Sequence, residues 1–298
     1  MPGVNPYARH TLWSDPGAFR AALNELPAEP DAIADALEQF VMHPTAAVAL
    51  GCDIPMGAEA DKNLRSAERL IEAAINRGGG PLTQARAANH YLFGTCRDFA
   101  LLAAAILREH GVPARLRVGY ASYFEPGRWE DHWVCEYRTG KQWALLDAEL
   151  GPRARARFGI DFDLAHVPRD RWRSAASVWH AIKSGLIEAN SCGVSIAGIA
   201  GDWFVAAAIL RDAAALAGIE ALPWDYWGPG RSICKNRCVP PERVRDIDDL
   251  ADALDPAPDT YGSTQAVLER FPWARPSPTV LSFPDGRTPT EVALAPQG

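Results

Sequence analysis

The stretch HYLFGTCRDFALLAAAILREHGVPAR, residues 90–115, places a cysteine where a polar turn gives way to a strongly apolar helix. Thr95 precedes the apolar run and Asp98 follows three residues later, which is the capping-box pattern of a helix start. We therefore expect a helix that begins at Cys96 and ends near Gly111. Unpaired N–H groups and the macrodipole at such an N-terminus favour thiolate over thiol, as a nucleophilic cysteine requires. The alternative is that Cys96 is a small apolar side chain of the core.

A reactive cysteine needs a base, and a hairpin further along the chain offers one. The segment EDHWVCEYRTGKQWALLDAEL, residues 130–150, reads as two strands joined by a tight turn. If Thr139 and Gly140 are the two loop residues, His132 directly faces Asp147. Opposed residues have Cβ atoms about 5 Å apart, a distance that suits a carboxylate holding an imidazole. The alternatives are a structural histidine with an aspartate that ends a strand, and a longer loop that moves the partner by a residue or two.

These residue types indicate nucleophilic acyl chemistry. Cys96 would attack a carbonyl, His132 would take the thiol proton and later protonate the leaving group, and Asp147 would fix the imidazole tautomer. The expected oxyanion donor is the backbone N–H of Cys96. Candidates for a side-chain donor are Gln84 and Asn89, although either is equally typical of an ordinary loop.

Four motifs in this part of the chain occur in the order known from one superfamily. They are Gly94–Asp98 (G-x-C-x-D), Gly111–Arg115 (GVPAR), His132–Trp133, and Trp143–Asp147 (W-x-x-x-D). Over residues 82 to 150 the sequence thus resembles the transglutaminase-like superfamily. The departure is at the histidine, which is followed directly by tryptophan where the superfamily has H-x-W or a close variant.

The resemblance implies an α+β fold with a papain-like core, made of a helix and an antiparallel sheet and wrapped by N- and C-terminal helices. It also implies a Cys-His-Asp triad that needs neither a cofactor nor a metal. The superfamily includes protein crosslinkers, amide hydrolases and acyltransferases, so the resemblance does not fix a substrate. The flanking segments are similar to those of bacterial transglutaminase-like domain proteins. The calcium sites and accessory β-domains of the animal crosslinkers have no counterpart, which argues against protein crosslinking.

Helical and strand patterns divide the chain into four predicted segments. These are an N-terminal helical layer (1–80), the catalytic core (81–150), a C-terminal helical region packed on the core (151–255) and a Pro-rich segment (256–298). In the first segment Asp31 is the expected cap of a helix whose apolar pattern runs from Ile33 to Val41. In the third, one helix face is expected to start at Trp172, and DWFVAAAILRDAAALAG, residues 202–218, is expected to be a buried helix.

Aromatic residues near the predicted triad are candidates for the lining of a substrate cleft, although aromatic side chains at such spacing are more often core. They are Trp129, Trp133, Tyr120 and Tyr123. The acidic pair Glu130–Asp131 next to His132 would either attract a cationic amine or form a solvated loop end.

The sequence therefore predicts an enzyme that forms a thioester on its cysteine from a small-molecule or peptide acyl donor and passes the acyl group to a small amine. An amide hydrolase with the same triad, such as an amidase, deamidase or peptidase, is the first alternative. A non-catalytic peptide-binding module is the second.

Composition excludes several other classes of function. Thirty Lys+Arg against 37 Asp+Glu give a formal net charge of −7 without a block of like charge, so we expect neither a nucleic-acid nor a membrane partner. The first residues lack a signal-peptide pattern, and six scattered cysteines fit a reducing compartment, so a cytoplasmic location with thiols outside disulfides is expected. The spacing of CKNRC does not favour a metal site.

Overall fold

The computed structural model describes residues 5–49, 51–84 and 86–296, and its contacts divide the chain into two compact units. The first unit comprises Met1–Leu116, Val134–Val167 and Ala295–Gly298, and the second comprises Arg117–Trp133 and Pro168–Leu294. Helices and strands are mixed in both units, which confirms the α+β class. The division into four segments stays a prediction.

The first unit contains short N-terminal helices, one long buried helix and a hairpin. Its helices are α1 (Arg20–Asn24), α2 (Pro30–Leu37), α3 (Pro44–Ala49), α4 (Ala67–Gly78), α5 (Cys96–Glu109) and α6 (Pro152–Phe158). Its strands are β1 (Val41–Met42), β2 (Leu92–Phe93), the start of β3 (Ala114–Ala121), the end of β4 (Trp129–Thr139) and β5 (Gln142–Leu146).

The helix for which Asp31 is the expected cap begins at Pro30, two residues earlier than that cap implies, and it is shorter. Pro30 takes the first helical position, where its missing N–H costs nothing, and Asp31 lies in the first turn, so its predicted capping role is wrong. The helix ends at Leu37, and the apolar pattern continues into β1, where Val41 pairs in parallel with Leu92. Tertiary strand pairing thus replaces the last predicted turn of the helix.

The hairpin between β4 and β5 is shifted by two residues from the predicted register. Thr139 pairs with Gln142, so the loop residues are Gly140 and Lys141. The first loop residue has φ +60°, a left-handed conformation that glycine adopts readily and β-branched threonine resists. The predicted loop, with threonine in first place, is therefore wrong.

This shift changes what the hairpin implies for His132 and Asp147. Their predicted direct opposition rested on the wrong loop and loses its basis. Side chains alternate between the two faces of a strand, so a shift by an even number of residues leaves each side chain on its predicted face. The expectation that the imidazole and the carboxylate share a face of the hairpin is therefore unaffected.

The second unit contains two sheets and a long buried helix. Its helices are α7 (Ala175–Lys183), α8 (Asp202–Leu216), α9 (Pro229–Asn236), α10 (Pro241–Leu254) and α11 (Tyr261–Arg270). Its further strands are β6 (Trp172–Ser174), β7 (Cys192–Val194), β8 (Ile199–Ala200), β9 (Asp225–Tyr226), β10 (Thr279–Ser282) and β11 (Thr290–Ala293). The strand orders are β6-β3-β4-β7-β8 and β11-β10-β9.

The helix predicted to start at Trp172 is preceded by a strand. Trp172 pairs with Ala121 of β3, and α7 starts only after Ser174, whose hydroxyl accepts a hydrogen bond from the N–H of Ser177 at 3.1 Å. The cap residue therefore marks the true helix start. The buried helix predicted at residues 202–218 is confirmed as α8, from Asp202 to Leu216.

Within the described part of the chain, no helix is both long enough and apolar enough to cross a membrane. All six cysteines lie in that part, and none of them is in a disulfide, as expected.

Candidate active site

Cys96 is the first residue of α5, as the sequence predicts, and it is only 9% exposed. The preceding Thr95 is extended, and Asp98 Oδ2 accepts hydrogen bonds from its N–H at 2.8 Å and from its hydroxyl at 3.2 Å. The capping box thus stops the helix from starting earlier. It places the thiol on the first turn, where the helix dipole favours negative charge.

The side chains of Arg97 and Asp98 hold this helix start in place. Both are fully buried, and their charged atoms Nη1 and Oδ1 are 3.0 Å apart. The guanidinium also donates to the carbonyls of Leu64 at 3.3 Å and Arg65 at 2.7 Å. Burial raises the pKa of Asp98 above its ordinary value, although Arg97 and Thr95 act in the opposite direction. The N-terminus of α5 is thereby tied to the segment before α4.

A second buried carboxylate fixes the strand that leads to the cysteine. Asp61 accepts a hydrogen bond from the N–H of Phe93 at 3.0 Å and pairs with Arg77, whose Nη1 also donates to the carbonyl of Tyr91 at 2.8 Å. Beyond it, a Cβ on Gly94 would lie 3.1 Å from Asp98 Cβ, tighter than ordinary packing. The Gly-x-Cys spacing therefore has a steric reason, since little room is left for a side chain at that position.

The first unit also contains Asp147, fully buried just after β5. Its N–H donates to the carbonyl of Leu164 at 2.9 Å, and its Oδ1 accepts from the N–H of Glu149 at 3.1 Å. The carboxylate of Glu149 in turn lies within 4.8 Å of Cys96 Sγ. Glu149 was not among the predicted site residues, and only its position two residues after Asp147 could have indicated it. An ionised carboxylate at this distance opposes thiolate formation and would attract a cation.

In the second unit, His132 is 2% exposed. Trp172 Nε1–H donates to its carbonyl oxygen at 2.9 Å, which fixes the backbone of β4 at this residue. The rings of Phe124 and Tyr123 meet the imidazole edge to face, with centroids 4.8 Å and 6.0 Å away. Aromatic packing of this kind limits the rotation of the imidazole.

The other predicted site residues lie in varied surroundings. Tyr120 and Trp133 are buried, Tyr123 contacts the histidine as described, and Trp129 is half-buried with the Arg173 guanidinium 5.3 Å from its ring centroid. Their role in binding substrate stays a prediction. The oxyanion candidates Gln84 and Asn89 are both exposed on the segment before β2, and their role likewise stays a prediction.

The acidic pair beside His132 is not a solvated loop end. The Glu130 carboxylate accepts a hydrogen bond from the N–H of Ser195 at 3.0 Å and also binds its hydroxyl. Asp131 Oδ1 is shielded from solvent, and burial raises the pKa of this carboxyl to about 6 despite the opposing influence of Arg211. Glu130 thus forms hydrogen bonds with Ser195, and its attraction of an amine stays a prediction.

Residues 60–148 match the family model of the transglutaminase-like superfamily. This segment belongs to that superfamily. The matched transglutaminase-like segment contains Cys96, His132 and Asp147, and it starts earlier than the resemblance noted from the motifs, since it includes α4. The family indicates a cysteine-based enzyme and does not distinguish acyl transfer from hydrolysis.

Comparison with other proteins adds little to the assignment of the transglutaminase-like segment. A search of curated proteins found no match. Among solved structures, a "putative cysteine protease" from Cytophaga hutchinsonii matches with 18% identity and a TM-score of 0.31. The match covers 50% of this chain and 43% of that chain. At this identity and score the likeness establishes neither fold nor activity.

Proposed function

We propose that the protein is a cysteine acyltransferase in which Cys96, His132 and Asp147 act as a catalytic triad. The observation that carries the proposal is the position of Cys96 as the first residue of α5, behind a capping box, inside a transglutaminase-like segment. A thiol in that position is favoured as thiolate by the helix dipole. No cofactor or metal takes part in the proposed reaction.

In the first half-reaction the Cys96 thiol would lose its proton to His132, and the sulfur would attack the carbonyl carbon of an amide or thioester. The oxyanion would be met by the backbone N–H of Cys96, with Gln84 or Asn89 as a side-chain donor. Collapse of the tetrahedral intermediate would break the bond to the leaving amine or thiol. His132 would return its proton to that group, and Asp147 would stabilise the imidazolium in between.

In the second half-reaction a small amine would attack the thioester on Cys96. His132 would take the proton from the amine nitrogen, the new amide bond would form, and the cysteine sulfur would leave as thiolate. The Glu149 carboxylate, within 4.8 Å of Cys96 Sγ, supports an amine as the acceptor. A carboxylate there would attract a cationic amine before that amine loses its proton.

The alternative is that water takes the place of the amine, which makes the protein an amide hydrolase acting on a small molecule or a peptide. Both reactions share the acyl-enzyme and differ only in the second nucleophile. A cytoplasmic location is part of the proposal, and it is supported by six cysteines that form no disulfide.

The proposal is tested by mass spectrometry of the protein incubated with a panel of small N-acyl amides and thioesters, with and without primary amines. We expect an acyl adduct on Cys96 and an N-acylated amine product, both absent in Cys96→Ser. The variant Cys238→Ser, at an exposed cysteine, is the matched control and should behave as wild type. Free acid as the sole product at every amine concentration would establish the hydrolase, and no adduct with any donor would contradict both enzymes.

A second variant separates the two acceptors. If Glu149 attracts the amine, Glu149→Gln should lower the ratio of N-acylated product to free acid, while the rate of Cys96 acylation is kept or increased. An unchanged ratio would remove the support that Glu149 gives to the transferase.

A further inference from the structure

Arg211 lies in the middle of α8, and its buried side chain forms no hydrogen bond with a carboxylate or a carbonyl of the described residues. The residue is 1% exposed. Nε, Nη1 and Nη2 of its guanidinium have no well-aligned acceptor among the described residues, and the hydroxyl of Tyr226 is close enough to interact with the group. An arginine has five N–H donors in a fixed fork, and one hydroxyl cannot accept from all of them.

Two further unsatisfied polar groups of the same unit act electrostatically on this guanidinium. The hydroxyl of Tyr120 on β3 is fully buried and has no partner among the described residues. The same holds for Oδ1 of Asp131 on β4, although the rest of that residue is partly exposed. The rings of Phe204 and Tyr226 contact the guanidinium, with centroids 5.4 Å and 5.2 Å from its central carbon.

Burying such a cluster costs free energy of folding unless other groups supply the hydrogen bonds that it lacks. A buried charge or hydroxyl without a hydrogen bond loses its hydration and gains nothing in return, and native proteins nearly always satisfy such groups with a neighbour, water or a ligand. Arg211 and Asp131 attract one another but make no hydrogen bond. The guanidinium and the tyrosine hydroxyl can therefore both donate hydrogen bonds to a further acceptor.

The guanidinium of Arg211 stays protonated and positively charged. Burial by itself lowers the pKa of Arg211, but Tyr226, Asp131 and Tyr120 raise it by more, so the pKa lies above its ordinary value. The partner that completes the cluster must therefore suit a permanent cation. A planar guanidinium prefers carboxylate or phosphate oxygens, which it can bind in pairs.

We propose that Arg211 and Tyr120, with Asp131 at the side, form a buried binding site for a small anion, either an inorganic ion or the carboxylate of a small organic acid. The site does not depend on the proposed acyltransferase activity. Asp131 and His132 are neighbours on β4 and point to opposite faces of the strand, so the anion site is separate from the imidazole.

Protonation of Asp131 should tune this site. The groups that act on its carboxyl are Arg211 on α8, Tyr120 on β3, and His132 and Glu130 on its own strand. Burial is the largest influence and raises the pKa of Asp131 to about 6. Above that pH the carboxylate competes with the anion for Arg211, and below it the neutral carboxyl does not. Anion binding should therefore be tighter at pH 5 than at pH 8.

Thermal unfolding of the full chain gives the first test. The melting temperature is recorded at pH 5 against sodium acetate, sodium phosphate and sodium bromide in turn, at an ionic strength held constant with a bulky sulfonate buffer. We expect a saturable rise with at least one of these anions. Acetate as the best probe would indicate an organic acid, and phosphate or bromide an inorganic ion.

Two variants and two controls locate the effect. Arg211→Met should weaken binding about tenfold or more, and Tyr120→Phe, which removes only an oxygen, by about threefold to tenfold. Arg243→Met changes an exposed arginine, and Tyr137→Phe removes a hydroxyl that donates to the carbonyl of Ala165 at 3.1 Å, so neither should alter binding. If Arg211→Met does not fold, Tyr120→Phe still carries the comparison.

A crystal grown in bromide gives the direct view. An anomalous peak between the guanidinium of Arg211 and the hydroxyl of Tyr120 would confirm an anion there. Ordered water alone at this place, together with no saturable stabilisation by any of the three probes, would overturn the proposal. So would stabilisation that is the same in wild type, Arg211→Met and Tyr120→Phe.

Discussion

The buried helices α5 and α8 carry the same dipeptide with opposite results. Arg97 and Asp98 of α5 form an ion pair with each other, at 3.0 Å. In α8 the neighbouring arginine and aspartate do not form an ion pair with each other. Asp212 binds Arg117 through two hydrogen bonds, at 3.0 Å and 2.9 Å, and accepts a third from the N–H of Val118 at 2.8 Å. Among the described residues no carboxylate forms a hydrogen bond with Arg211, and its guanidinium interacts with the hydroxyl of Tyr226.

The difference follows from where each dipeptide lies on its helix. At the first turn of α5 unpaired N–H groups and the preceding loop are within reach, so Arg97 and Asp98 satisfy one another, a cap and two carbonyls. In the middle of α8 the backbone is already bonded, so each side chain needs a partner from another element. Asp212 has such a partner in Arg117, whereas no carboxylate of the described residues forms a hydrogen bond with Arg211. A buried charge that is satisfied positions its neighbours, and one that is not satisfied needs water or a ligand as its partner.

Asp98→Ala should have the largest effect, because it leaves Arg97 as a buried charge without its carboxylate. We expect a loss of about 3–5 kcal/mol in the free energy of unfolding, the usual cost of breaking a buried ion pair. Urea denaturation measures it. The control is Asp246→Ala, which removes an exposed partner of Arg243 and should change stability by less than about 1 kcal/mol. Equal effects of the two variants would contradict the positioning role of Asp98.

The sharpest contrast lies between Arg117→Met and Arg211→Met. Removing Arg117 leaves Asp212 as a buried charge without its partner and should cost about 3–5 kcal/mol. At pH 5, where Asp131 is largely protonated, removing Arg211 leaves no carboxylate behind and should cost far less. The measurement is urea denaturation of both variants in buffer without small anions. A large destabilisation by Arg211→Met under those conditions would mean that its guanidinium is satisfied within the protein.

A pH series tests the carboxyl beside Arg211. The pKa of Asp131 in the folded protein, about 6, lies above its ordinary value of 3.8 because of burial, so ionisation destabilises the fold. That penalty is absent below about pH 4 and complete above about pH 6. Asp131→Asn should therefore gain stability relative to wild type as the pH rises from 4 to 7. A difference that is constant over this range, as expected for the exposed control Asp246→Asn, would contradict the buried carboxyl.

Thr95→Ala should have the smallest effect. It removes a hydroxyl that donates to Asp98 Oδ2 but keeps the backbone N–H that donates to the same oxygen. We expect a loss of about 1 kcal/mol from the weaker cap, measured by urea denaturation. Thr139→Ala, at the exposed end of β4, is the matched control and should cost less. A loss as large as that of Asp98→Ala would show that the hydroxyl, rather than the buried pair, holds the start of α5.

The sequence predicts the structure correctly where the deciding interactions join residues close together in the chain. The start of α5 depends on Thr95 and Asp98, three residues apart, and the prediction is confirmed. The loop of the β4–β5 hairpin depends on which residue takes a positive φ, and the sequence offered glycine in either loop position. Placing Gly140 second gave the wrong register, although the face of each side chain was unaffected.

Sequence failed where the partner comes from a distant element. Trp172 fits a helical pattern, yet it pairs with Ala121 in a sheet that forms only in the folded chain. The Arg211 cluster joins residues from β3, β4 and α8. The sequence of α8 alone does not show which side chains of other elements lie next to this arginine. Glu149 likewise approaches Cys96 only through the folding of the first unit.

The alkylation rate of Cys96 against pH tests the proposed nucleophile most directly. Iodoacetamide labelling is followed by mass spectrometry in wild type and in His132→Ala, with the exposed Cys238 of the same molecule as internal reference. We predict that Cys96 reacts rapidly well below about pH 8.5, the pKa of an ordinary thiol, and that His132→Ala removes this low-pH reactivity while Cys238 is unaffected. Slow labelling of Cys96 that His132→Ala leaves unchanged would contradict the triad.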